Sequence, residues 1–92
     1  MKQIYMDNNA TTAVRPEVLE AMLPFFREHF GNPSSVHWAG QAVSGAVETA
    51  REQVAALINC APAEVVFTSC GSEGDNMALK GTVEALRGRG NH

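Results

Sequence analysis

Apolar residues recur at helical spacing in three stretches of the chain, and a short β-branched run separates the second stretch from the third. From Pro16 to Phe30, Val18, Leu19, Met22, Phe25, Phe26 and Phe30 mark one face at intervals of three and four, which predicts a helix. Pro16 suits its first position, because a fixed φ is pre-organised for the helix and the missing N–H costs nothing there. Pro24 removes the bond to the Glu20 carbonyl, so the pattern predicts a kink or a restart at that point. Gly31-Asn32-Pro33-Ser34-Ser35 is dense in turn formers and ends the first element. A longer helix is expected from Trp38 to Asn59, with Val43, Ala46, Val47, Ala50, Val54, Leu57 and Ile58 on one stripe. Glu48, Arg51, Glu52 and Gln53 fall elsewhere on the wheel and read as an exposed face of nearly balanced charge. Cys60-Ala61-Pro62 is expected to stop it.

Glu64-Val65-Val66-Phe67-Thr68 reads as a strand buried on both faces of a parallel sheet. Ser69-Cys70-Gly71-Ser72 follows as a tight loop, then a helix from Glu73 to about Leu86 with Met77, Ala78, Val83 and Leu86 toward a core. Gly74 and Gly81 weaken that helix. Ahead of all this, Ile4 to Asp7 could form an edge strand or lie along the surface, and Asn8-Asn9-Ala10-Thr11-Thr12 is a polar loop. The pattern is that of an α/β fold. One strand cannot make a sheet, so its partners are expected from further along a longer chain. The closing Arg87-Gly88-Arg89-Gly90-Asn91-His92 reads as a turn leading into another element, or as a polar tail.

Composition narrows the classes. Ninety-two residues with 45% hydrophobic and 18% charged positions suit one globular domain at most. Seven Lys and Arg against ten Asp and Glu give a net charge of -3, without the cation cluster that nucleic-acid binding requires. No apolar run approaches the roughly 20 residues of a membrane span, and none suits a signal peptide. Cys60 and Cys70 do not make a secreted disulfide framework. The expectation is a cytoplasmic protein with reduced thiols.

Candidate chemistry concentrates in the loop before the third helix. A helix N-terminus offers unpaired N–H groups and the positive end of a dipole, and Gly71 permits close approach. Such a place suits a phosphate. The same residues also fit a plainer role, with Ser72 capping the helix and Gly71 making the turn. Cys70 could be a low-pKa nucleophile or a small loop residue, and Cys60 reads as a buried small hydrophobe. No set of metal ligands with zinc-like spacing is present, and Glu73 and Asp75 are explained by the helix dipole. His37 could line a site wall or cap a helix. His29 and His92 carry no specific signal. Lys2 and Lys80 do not look like the desolvated amine that carbonyl chemistry requires.

Three blocks, Tyr5-Met6-Asp7-Asn8-Asn9-Ala10-Thr11-Thr12, Gly31-Asn32-Pro33-Ser34-Ser35-Val36-His37 and Val66-Phe67-Thr68-Ser69-Cys70-Gly71-Ser72-Glu73-Gly74-Asp75-Asn76, resemble the opening of a cysteine desulfurase. The nitrogen-fixation (NifS-like) branch is the most similar. The resemblance implies the N-terminal part of a pyridoxal-phosphate enzyme of the aspartate-aminotransferase fold. It would be a homodimer turning L-cysteine into L-alanine and passing sulfur, as an enzyme persulfide, to an iron–sulfur scaffold protein. Residues 1–30 would form an N-terminal segment with the first helix, and 31–92 the beginning of the large cofactor-binding domain. Gly71 and Ser72 match the residues that hold the cofactor phosphate in that family. Segments 8–12 and 32–37 match stretches bordering the active site. Ser72 stands where relatives often have Thr, which keeps the hydroxyl, and Gly74 replaces a more usual Ser. The lysine and cysteine that carry the chemistry would lie beyond His92, so Cys60 and Cys70 are not candidates for the persulfide. A selenocysteine lyase or an aminotransferase of the same fold is the alternative, and a small non-enzymatic binding module the more distant one.

Overall fold

A computed structural model describes residues 1–90. They contain three helices, α1 (Pro16–Arg27), α2 (Trp38–Ile58) and α3 (Gly71–Leu86), with one 3₁₀ turn at Pro62–Glu64. They group into two compact units, Met1–Ala50 and Arg51–His92.

In the first unit, α1 begins as expected. Arg15 is extended, Pro16 takes the first helical position, and Glu17 adds an acid to the first turn. The helix runs through Pro24 without the expected restart. Glu20 is exposed, so water can take the carbonyl that proline leaves unpaired. The helix ends three residues earlier than the apolar pattern predicts, because the amides of Glu28 and His29 both turn back to the Pro24 carbonyl at 2.8 and 2.9 Å. Ser34 N–H donates to Asn32 Oδ1 at 2.9 Å and Ser35 N–H to the Asn32 carbonyl at 2.9 Å, folding 31–35 into a tight turn. This turn packs directly on the start of α2. A Cβ added at Gly40 would stand 2.2 Å from the Ser35 carbonyl oxygen, and one at Gly31 2.3 Å from that of Ala39. Only glycine permits that approach.

The second unit begins inside α2. Its helix stops at Ile58, one residue before the expected Asn59. Asn59 takes a left-handed conformation with φ 56°. Cys60 N–H reaches the Ala55 carbonyl at 2.9 Å and Asn59 N–H the Ala56 carbonyl at 3.4 Å, the paired bonds of a Schellman C-cap. Glu64 Oε2 accepts from Ala61 N–H at 2.8 Å and closes the 3₁₀ turn.

The expected strand at Glu64–Thr68 is not a strand here. Glu64 ends the 3₁₀ turn and Val65–Thr68 runs without regular pairing, because no partner strand lies among the described residues. Burial departs from the expectation for the same reason. Ala55 and Val65, at 1% and 9% exposure, are the buried hydrophobic residues of the described chain. Val54, Leu57 and Ile58 of the expected stripe are exposed, as are Met77, Val83 and Leu86 on α3. After α3, Arg89 N–H returns to the Leu86 carbonyl at 2.8 Å. Asn91 and His92, the last residues of the expected closing turn, lie outside the described residues.

Candidate functional site

The loop before α3 is built by short-range bonds. Thr68 Oγ1 donates to the Cys70 carbonyl at 3.2 Å, and Gly74 N–H takes the same carbonyl at 3.1 Å as the first bond of the helix. Ser69 N–H donates to Glu73 Oε2 at 2.8 Å, and the Ser69 hydroxyl donates to the same oxygen. Glu73 thus reaches back to tie down Ser69, one residue ahead of the N-cap amide that a capping-box acid bonds. Its carboxyl is held below the usual carboxylate range, first by the Ser69 hydroxyl and then by the Ser69 amide.

Gly71 and Ser72 lie inside the helix, as its first two residues, not in the loop before it. Cys70 takes the N-cap position with an extended backbone and makes no side-chain capping bond. Ser72 therefore does not cap the helix, which removes one of the two roles open to it. Its carbonyl accepts from Asn76 Nδ2 at 2.8 Å. The amides of Gly71, Ser72 and Glu73 precede the first intrahelical bond and face outward from the helix end. A Cβ placed on Gly71 would meet nothing within 4 Å, so this backbone is open to an incoming group.

Cys70 is exposed and its thiol sits at the positive end of α3. The Glu73 amide is the largest influence lowering its pKa, with Ser69 and Ser72 acting the same way. The Ser69 hydroxyl lies 3.8 Å from the sulfur, yet it has one proton and the Glu73 carboxylate is the stronger acceptor. We therefore assign the lowering to the backbone amides, which already favour a negative atom at this point.

These features fit the phosphate of pyridoxal 5′-phosphate. Three outward amides, a neighbouring hydroxyl and an open glycine offer what a phosphate dianion needs, and the helix dipole adds to it. Glu73, the nearby negative side chain, is engaged by Ser69. Cys60 is half-buried and free, and no cluster of three metal-binding side chains occurs among the described residues. The Asn8–Thr12 and Asn32–His37 segments belong to the first unit. There Tyr5 Oη donates to the Asp7 carbonyl at 2.9 Å and also meets Thr11 Oγ1, while the His37 carbonyl accepts from Gly40 and Gln41.

One residue was misplaced by the sequence pattern. Arg51, expected on the exposed face of α2, is half-buried. Its Nη1 donates to the Val65 carbonyl, and its guanidinium lies 5.0 Å from the centre of the Phe67 ring. The available signal was its i, i+4 spacing from Val47 and Ala55, which puts it on the buried side of the helix.

The class-V aminotransferase family model matches residues 4–92. The chain belongs to the class-V aminotransferase family. Families of this class depend on pyridoxal phosphate, which agrees with the chemistry of the α3 terminus. Among the relatives of this class-V chain, a cysteine desulfurase of Trichormus azollae is 55% identical over 85 residues, covering 92% of the chain and 21% of that protein. The cysteine desulfurase IscS of Clostridium botulinum (strain Kyoto / Type A2) is 54% identical over 91 residues, covering 99% of the chain and 23% of the relative. A solved structure described as a NifS-like protein superimposes with a TM-score of 0.87 at 44% identity, over 96% of this chain and 24% of that one. The chain therefore matches the N-terminal part of the α/β fold expected from the sequence, and the described residues supply helices of it. The chain spans about a fifth of the length of the curated relatives it matches.

Proposed function

We propose that this segment is the N-terminal part of a cysteine desulfurase that converts L-cysteine to L-alanine and delivers sulfur for iron–sulfur cluster assembly. The observation that carries the reading is the open N-terminus of α3, where Gly71 and Ser72 present outward amides and a hydroxyl directly after the third of three desulfurase-like sequence blocks. Identities of 54–55% to proteins named cysteine desulfurase support it over other chemistries of the family. The nitrogen-fixation branch is the finer assignment, supported by the likeness to a NifS-like structure and by the sequence blocks. A homodimer, an iron–sulfur scaffold protein as sulfur acceptor and a cytoplasmic location complete the proposal. Among the described residues no helix is long and apolar enough to cross a membrane.

In this reading, residues 1–30 form an N-terminal segment and 31–92 open the large cofactor-binding domain. The Gly71 and Ser72 amides and the Ser72 hydroxyl take the phosphate oxygens. Glu73, held by Ser69, keeps its charge turned to the loop. When bound, pyridoxal phosphate supplies the electron sink for bond cleavage in the amino-acid substrate. This segment supplies grip and orientation. The lysine that anchors the cofactor and the cysteine that receives sulfur are assigned to the part of the protein beyond His92.

Product analysis of the full-length protein tests the proposal. Alanine and sulfide in equal amounts from L-cysteine and a reductant support it. Amino transfer to a keto acid, or release of selenide from selenocysteine with no turnover of cysteine, contradicts it.

A further inference from the structure

The geometry points to Arg51 as the positioning residue that sets where the α3 amides meet the cofactor phosphate, an inference that rests on the functional reading above. Arg51 leaves α2 one turn before Ala55, the more buried of the two buried hydrophobic residues among the described ones. Its Nη1 donates to the Val65 carbonyl, and Val65 is the other buried hydrophobic residue. The same guanidinium covers the Phe67 ring at 5.0 Å. One planar cation thus grips the 65–67 segment twice, through a backbone bond and through a ring face.

Beyond that grip the chain is made rigid in small steps. Thr68 Oγ1 holds the Cys70 carbonyl, Ser69 is held by Glu73, and the Gly74 N–H donates to the same Cys70 carbonyl. Residues 68–74 therefore move as one piece with the first turn of α3. The 65–67 segment is the joint between that piece and α2, and Arg51 fixes the joint. Phosphate amides must be placed within a few tenths of an ångström to bond well. Displacing the joint would cost phosphate affinity and leave the rest of the cofactor contacts alone.

The test uses the full-length protein in cofactor-free form and measures dissociation constants for pyridoxal 5′-phosphate and for pyridoxal, which lacks the phosphate. Wild type is expected to prefer the phosphorylated form strongly. R51M should weaken pyridoxal phosphate about tenfold, the scale of one lost charge-assisted bond, and leave pyridoxal unchanged. F67L keeps the charge but removes the ring, and should shift the preference in the same direction. R51K, which can still donate to Val65 but has no flat face, should recover part of the loss. If R51M does not fold, F67L and R51K carry the comparison. The inference is overturned if both ligands weaken together, if neither changes, or if F67L leaves the preference intact. A wild-type protein with no preference for the phosphate would instead overturn the functional reading, and this inference with it.

Discussion

Replacing Gly40 by alanine tests how the 31–35 turn is seated on α2. The new methyl would stand 2.2 Å from the Ser35 carbonyl oxygen, 2.7 Å from the Asn32 carbonyl oxygen and 2.7 Å from the Ser35 Cβ. Ordinary contact begins near 3.5 Å, so the turn would have to retreat by about 1 Å. Two of the three atoms are backbone oxygens, which cannot swing away as a side chain could. Gly45, in the same helix, has nothing within 4 Å of its added Cβ and serves as the control. Gly-to-Ala in a helix gains about 1 kcal/mol, a contribution roughly common to both variants. The difference between them is then the clash, of order 1–3 kcal/mol by the measure of overpacked sites. Gly45→Ala should stabilise the full-length protein slightly and Gly40→Ala should destabilise it. Native-state hydrogen exchange gives the local readout, since the Ser35 amide bonds to Asn32 and the Gly40 amide to His37. Faster exchange at both is expected in Gly40→Ala alone. Equal stability of the two variants with unchanged protection at Ser35 would refute the reasoning.

Other consequences are as direct. Ser72→Ala in the full-length protein should weaken pyridoxal phosphate by about tenfold or more, the scale of one hydrogen bond to a charged acceptor, with pyridoxal binding unaffected; paired titrations check this. Cys70 in a Cys60→Ser background should alkylate with a midpoint at lower pH than the same variant in urea, because folding brings the helix amides to its sulfur. Equal midpoints would contradict that. The Glu73 carboxyl has a folded pKa below its unfolded one, so its contribution is present above the unfolded value and is lost as pH falls through the folded one. Wild type should therefore lose more stability than Glu73→Gln on acidification through the carboxylate range, as paired melts at several pH values would show. Finally, the 92 residues alone bury Ala55 and Val65 while Phe26, Phe30, Leu57 and Val83 stay exposed. Each such side chain forgoes about 1.5–3 kcal/mol of burial, so the isolated segment should melt without a cooperative transition in calorimetry.

How far the sequence could be read depends on the range of the forces involved. Helices were legible because their signals are local. Pro16, the Gly31–Ser35 turn formers and the spacing of Val43, Ala46 and Val47 act within a few residues. The α2 terminus falls one residue before the expected Asn59, because Asn59, a non-glycine residue, takes the left-handed position, which asparagine tolerates better than most. The Glu64–Thr68 strand was an inference about a sheet, and a strand exists only with a partner beside it. Arg51 was assigned to solvent because charge was allowed to outweigh position on the wheel. Its contacts are with Val65 and Phe67, 14 and 16 positions further along, which no local pattern reports. The 69–72 loop reads in the sequence as a place for an anion, and the structure puts Gly71 and Ser72 inside the helix, with Cys70 as the capping position.

The central claim is that a cofactor phosphate rests on the first turn of α3. A crystal structure of the full-length protein with pyridoxal 5′-phosphate bound tests it most directly. Phosphate oxygens are expected within about 3.2 Å of the Gly71 and Ser72 amide nitrogens, the reach of an N–H···O bond. A phosphate seated on other residues, with those two amides turned to water, would contradict the account.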